Sequence, residues 1–204
     1  MHATLPSAAW LKQWLYDWGG ANLNLFMFLN QAVPDQLLWL PEALSWVGSY
    51  WGAPAIVAVL LAWRRSHAPD AARSANLAMR RFVFGLVLTM SSAALLKTAF
   101  AFPRPAVVLG EGFFRVVGMP DSRYSFPSGH AAYVAVLAAA IWPVLGWPGR
   151  IGLLAFAIAV GWSRIALGAH FPADVVASFV LGWACVEISA ALIWLLVPRS
   201  RATR

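Results

Sequence analysis

From Trp39 onward the chain is a succession of apolar stretches, each about as long as a bilayer is thick. Few folds accommodate that. The runs Trp39–Trp63, Phe82–Phe100, Ala131–Trp147, Ile151–Leu167 and Pro172–Val197 carry hardly any charge, and Pro54 is expected to kink the first. A hydrocarbon core of ~30 Å needs ~20 helical residues to cross it. Lipid offers no partner to an unpaired backbone N–H or C=O, so such runs are expected to be helices. The fold class read from this is all-α, a polytopic transmembrane bundle of five to six helices. Composition agrees, because 61% hydrophobic and 11% charged residues exclude an ordinary soluble domain. The formal charge of +7 does not mark a nucleic-acid binder, since the basic residues sit between the apolar runs.

The first 35 residues contain no clean span. Trp10, Trp14 and Trp18 recur every fourth residue beside Leu11 and Leu15, which predicts an N-terminal interfacial amphipathic helix. Leu23–Val33 is apolar but short and interrupted by Asn24 and Asn30, so a first span there stays open. No basic segment precedes it, and no cleaved signal peptide is read. The lone Cys185 lies in an apolar run and is read as a packing residue. Arg64, Arg65, Arg73, Arg80 and Arg81 crowd one connection, Arg150 lies in another, and Arg199, Arg201 and Arg204 close the chain. Five spans put all of these on one side, which the positive-inside rule assigns to the cytoplasm. The expectation is one domain over residues 1–204, with an interfacial segment at 1–35 and a catalytic region at 97–174. It would lie in a bacterial inner membrane with its active site toward the periplasm.

The remaining charges converge on that outer side. Lys97 ends the second apolar run, Arg104 precedes Pro105, and Ser128, Gly129 and His130 open the third run. Arg164 ends the fourth, and His170 and Asp174 flank the turn into the fifth. With Ser128 at the N-cap, the helix that follows offers free N–H groups and the positive end of its dipole to an anion. The arginines add planar forks that match phosphate oxygens. His170 and Asp174, four apart across Pro172, can pair so that the carboxylate fixes one imidazole nitrogen and frees the other as a nucleophile. His130 is placed to protonate a leaving oxygen. Arg123, five residues before Ser128, is a candidate contact for a second phosphate; alternatively it and Arg115 meet lipid headgroups or pair with Glu111 and Asp121. Taken singly, each residue has a plain reading: Lys97 snorkels, Arg104 anchors headgroups, Ser128 caps, Asp174 is a first-turn acid and Glu187 packs helices. Together on one membrane face they point to phosphoryl transfer.

Three motifs carry a resemblance. Lys97 and Arg104-Pro105, then Pro127-Ser128-Gly129-His130, then Ser163-Arg164 with His170 and Asp174, resemble the three-part signature of the type 2 phosphatidic acid phosphatase (PAP2) superfamily. The resemblance implies a bundle of about six helices hydrolysing lipid phosphates or pyrophosphates without a metal. It implies a phosphohistidine on His170, oriented by Asp174, with His130 as general acid. Lys97, Arg104, Ser128, Gly129 and Arg164 would hold the phosphate. No cofactor is expected, and no divalent metal, because the cations already neutralise phosphate and no carboxylate cluster exists for Mg²⁺. The partners expected are the bilayer and a membrane lipid phosphate, not nucleic acid; oligomeric state is not read. Undecaprenyl pyrophosphate is the first substrate expectation, with phosphatidylglycerophosphate, phosphatidate and lipid A phosphate as alternatives. Vanadate-dependent haloperoxidases share the signature but are soluble. A transporter or structural membrane protein would share the hydrophobicity without the site.

Overall fold

The computed structural model describes residues 12–66, 69–110, 112–118 and 123–196. Trp10, Leu11, Glu111, Asp121, Arg199, Arg201 and Arg204 lie outside the described residues. The helices are α1 (Ala21–Gln31), α2 (Trp39–Val47), α3 (Ala53–Ser66), α4 (Pro69–Phe100), α5 (Pro105–Leu109), α6 (Gly129–Ile141), α7 (Trp147–Ala166) and α8 (Pro172–Leu196). By length and apolarity α4, α7 and α8 each suffice to cross a membrane, and the bent pair of segments 35–47 and 50–65 makes a fourth when counted as one span. The protein is therefore a multi-pass helical membrane bundle.

The centre of the bundle is α6. Every residue from Ala131 to Ala140 is buried, and α4, α7 and α8 pack around them. A helix apolar on all sides belongs in that position, and its alanines let neighbouring backbones come close. On α8 the facing row is equally small: Asp174, Ser178, Gly182, Cys185 and Ser189 are all buried. A Cβ on Gly182 would stand 2.7 Å from the Ala132 carbonyl oxygen and 2.8 Å from the Ala135 Cβ. On α4 the buried row Ala75, Ala78, Phe82, Gly85, Thr89, Ala93 steps by three and four residues, the spacing of one helix face. The outward residues Val176, Val180, Ile188, Leu192 and Leu195 of α8 are exposed and apolar, as a lipid-facing surface requires.

Four helix boundaries differ from the sequence expectation; one is the start of α7, at Trp147 and not Ile151, which puts Arg150 on the helix and not in a connection. The stretch Trp39–Trp63 is not one helix kinked at Pro54 but two segments bent by 47°. Pro54 withholds the N–H that would have continued the ladder, and Ser49 caps a short turn by accepting from the Trp51 N–H. Arg73, Arg80 and Arg81 lie on α4, not in a loop: Pro69 and Asp70 start this helix, and alanines carry it forward. Arg81 is buried there, bonded to Glu187 of α8 and to the Ala139 carbonyl of α6. Finally, α6 ends at Ile141, ahead of a turn containing Pro143.

The N-terminal segment also differs. Instead of one interfacial helix there is a helical turn at Lys12–Tyr16, a second turn at Trp18–Gly20, and then α1. Gly19 and Gly20 have φ of 62° and 97°, which breaks the helix. Trp14 and Leu15 remain exposed, but Tyr16 and Phe26 are buried in a second core with Phe114, Ile165 and Phe171. Asn30, read from sequence as an interruption, is fully buried and donates to the carbonyls of Ala166, Arg115 and Ile165. It thereby fixes α1 to the end of α7.

Candidate active site

At the end of the bundle remote from Arg73–Arg81, the termini of four helices converge. Lys97 comes from the last turn of α4, Arg104 from the residue before α5, Gly129 and His130 from the start of α6, and Arg164 from the last turn of α7. With His170 and Tyr50 they line a cavity of about 140 Å³. Six of the residues singled out in the sequence thus meet in one small space. Tyr50 was not anticipated; its ring lies edge-on to the His130 imidazole, with centroids 6.0 Å apart.

His170 is held by its backbone. The N–H groups of Ala169 and His170 both donate to the Arg164 carbonyl, at 3.0 and 3.2 Å. Gly168 makes this turn with φ of 73°, and the Arg115 carbonyl stands where a Cβ would project, so a side chain is excluded twice over. Arg104 donates to the Ala169 carbonyl at 2.7 Å and so braces the same turn. Lys97 donates to the Tyr124 carbonyl at 3.1 Å, while Arg164 bonds the Ser45 hydroxyl on α2.

Behind the cavity wall sits Asp174, fully buried. Its Oδ2 is 3.5 Å from His170 Nδ1 and accepts from the Phe171 N–H at 2.9 Å and from the Ser125 hydroxyl. Its Oδ1 accepts from the Tyr16 hydroxyl at 2.7 Å. Ser125 Oγ lies 3.4 Å from His170 Nδ1, between the two groups. Burial pushes the His170 imidazole down from 6.5 to about 3; Asp174 opposes that shift, and Arg104 and Arg164 reinforce it. The imidazole is therefore neutral at ordinary pH, with a lone pair available.

Ser128 occupies the N-cap position of α6, but its hydroxyl makes no capping bond and is buried without a partner. Its backbone N–H donates to Ser178 Oγ at 2.7 Å, and Ser178 in turn donates to the Asp174 carbonyl. Ser128 is a backbone link between α6 and α8, not a cavity-lining residue.

Arg123 does not reach the cavity. It is exposed, with its guanidinium 5.9 Å from the Tyr124 ring. The reason is that Tyr124 bridges Pro103 and the Ser125 N–H bonds the Phe102 carbonyl, which pins this strand-like pair beside the site. Nor does Arg115 face outward: it bonds the Val33 carbonyl and Asp35, tying its loop to the segment after α1. Sequence reasoning missed Tyr16, Ser125, Tyr50 and Asn30. Of these only Ser125 carried a signal, its place beside the Pro127–His130 motif.

A membrane bundle that gathers three cations and two imidazoles at one end, with a carboxylate behind one imidazole, is built like a membrane phosphatase. The chain belongs to the PAP2 superfamily, whose family profile matches residues 78–201. It is accordingly a membrane-bound lipid phosphatase of that class. It is 27% identical over 183 residues to a putative undecaprenyl-diphosphatase, YbjG, of Escherichia coli, covering 85% of this chain and 82% of that one. It is 36% identical over 104 residues to a lipid A 1-phosphatase of Rhizobium johnstonii, covering 48% of this chain and 41% of the relative. Among solved structures, Aquifex aeolicus LpxE superposes with a TM-score of 0.72 at 25% identity, covering 84% of this chain and 95% of that one. A phosphatidylglycerolphosphate phosphatase of Bacillus subtilis shares the fold with a TM-score of 0.67 at 20% identity, covering 91% of this chain and 90% of the other. Among the described residues no group of three or more His, Cys, Asp or Glu is arranged to hold a metal.

Proposed function

We propose that the chain hydrolyses a terminal phosphate of a membrane lipid through a phosphohistidine formed on His170. The observation that carries this is the 140 Å³ cavity itself, where Lys97, Arg104 and Arg164 surround a space between a neutral His170 and His130. His170 Nδ1 is turned to Asp174, which leaves Nε2 to attack phosphorus. As the N–P bond forms, the bond to the leaving oxygen breaks and His130 gives that oxygen a proton. Water then attacks the phosphohistidine, His130 takes the water's proton, and phosphate departs with His170 regenerated. The three cations and the N–H groups of α6 stabilise charge on the phosphoryl oxygens throughout. They supply by themselves the neutralisation a metal would otherwise provide, so the reaction is expected to continue in EDTA.

Undecaprenyl diphosphate is the preferred substrate reading. The relative carrying that activity in its name aligns over most of both chains, whereas the lipid A relative aligns over about half. A hydroxyl-rich headgroup is the second reading. A 400 Å³ cleft shares His130 and Arg164 with the cavity and adds Glu42, Ser45 and Ser49, groups that accept from hydroxyls and, at Glu42, repel a second phosphate. Phosphate release in EDTA across undecaprenyl diphosphate, phosphatidylglycerophosphate, phosphatidate and lipid A phosphate ranks these readings. Failure on all four would refute the function, and His170→Ala should lose at least about a thousandfold in rate.

The site is proposed to face the periplasm from the inner membrane, because Arg64, Arg65, Arg73, Arg80 and Arg150 lie at the opposite end. In a Cys185→Ser background, an impermeant thiol reagent on cells with a permeable outer layer should label Val108→Cys but not Asp70→Cys, both exposed positions. The reverse pattern would invert the orientation.

A further inference from the structure

We propose that Tyr16 is a positioning residue of the catalytic centre, locking the Asp174 carboxylate so that its other oxygen stays aimed at His170. This rests on the reading of His170 as nucleophile. Tyr16 lies far outside the part of the chain the family profile matches, residues 78–201, and nothing in the three motifs requires it.

The geometry is specific. Asp174 has four neighbouring donors, and they divide unequally between its two oxygens. Oδ2 takes the Phe171 N–H and the Ser125 hydroxyl and lies nearest His170 Nδ1. Oδ1 accepts one hydrogen bond, from Tyr16 at 2.7 Å. Without that bond one oxygen of a fully buried carboxylate has no partner, and only the two bonds at Oδ2 resist turning about the Cβ–Cγ bond. At 3.5 Å the His170 contact is already longer than an ordinary hydrogen bond, so a small rotation would lose it.

Tyr16 is itself firmly held. Its ring packs 4.4 Å from the Phe102 ring and 5.9 Å from that of Phe126. Burial and the Asp174 charge push its hydroxyl well above the usual phenol range. It therefore remains a donor across the working pH range. The next contact along the segment repeats the arrangement: Asn22 Oδ1 accepts the Ala173 N–H at 2.9 Å, one residue from Asp174. The N-terminal arm is thus attached to the first turn of α8, directly after the turn bearing the nucleophile, by two buried polar bonds. The Tyr16 ring also walls off a 400 Å³ outer cavity from Asp174, so truncation to alanine would admit water, and phenylalanine is the informative change.

Tyr16→Phe keeps the ring packing and removes only the donor. It should lower kcat about 10- to 100-fold, the worth of one hydrogen bond to a charged group, with KM within about threefold of the parent. A second readout separates positioning from simple damage. With Tyr16 gone, the carboxylate turns from His170 and supports its proton less, leaving burial, Arg104 and Arg164 to hold the proton affinity down. The acid limb of kcat should then move to lower pH. The measurement uses full-length protein in detergent, with rates normalised to the monodisperse fraction. If the parent releases no phosphate, or His170→Ala retains activity, the proposed function fails. If both behave as expected but Tyr16→Phe keeps kcat within threefold, or loses kcat with an unmoved acid limb, the positioning role of Tyr16 is overturned.

Discussion

At the scale of single residues, burying a neutral imidazole has a consequence for stability. An unfolded histidine takes up its proton near 6.5, whereas His170 does so in the fold only near 3. Between those values the unfolded chain binds more protons than the native one, so stability rises with pH through this window. His170 therefore costs nothing above about pH 6.5 and progressively destabilises the fold as pH falls toward 3. In detergent, the parent should lose more melting temperature between pH 7 and 4.5 than His170→Gln, which has no such group. Equal losses would mean the imidazole is not buried in its neutral form. His170, His130, Asp174 and the three cations were legible in the sequence because their spacing in the motifs survives folding. Tyr16 was not. It stood in a tryptophan-spaced stripe that reads as interfacial, and its partner lies 158 residues away. Asn30 and Ser128 show the same limit from opposite directions. Asn30 looked like an interruption yet fixes α1 to α7, and Ser128 looked like a cap yet serves through its backbone.

Among the elements, the contact of α6 with α8 decides whether the site forms at all. Ser128 and His130 ride on α6, Asp174 on α8, and Gly182 sets how closely the two approach. A methyl group at Gly182 meets the Ala132 carbonyl oxygen and the Ala135 Cβ, neither of which yields easily. Gly182→Ala should therefore destabilise by about 1–3 kcal/mol and lower activity by spreading the helices beneath the cavity. An unchanged melting temperature would show that the interface is looser than described. Helix positions were readable from apolar length, and α8 was placed to within one residue at each end, whereas α6 stops six residues short of the expected Trp147. The start of α4 was misjudged because arginines there suggest a loop, while alanine propensity and the Arg81–Glu187 pair favour a helix. The break between α2 and α3 was half-read: Pro54 gave its neighbourhood, but the turn that brings Tyr50 to the cavity depends on packing no local pattern reveals.

For the whole molecule, charge is sorted along the bundle axis, with an arginine-rich end and an end that carries the candidate site. Arg81 to Lys97 along α4 is roughly 24 Å at ~1.5 Å per residue, close to the thickness of a hydrocarbon core. The Arg81–Glu187 pair lies at the arginine-rich end and fixes α4 to α8 without approaching the cavity. The chemistry then needs only one interface of the membrane, where a lipid presents its phosphate while its tails remain among the exposed apolar side chains. On the proposed mechanism this phosphate passes through His170. The direct measurement is rapid mixing of purified protein with a lipid substrate labelled in its terminal phosphate, followed by an alkaline quench and recovery of the protein. The protein should carry covalent label that survives alkali, is released by acid, and is absent from His170→Ala. Label on His170→Ala at parental level, or rapid turnover by the parent with no covalent label at any time, would contradict it.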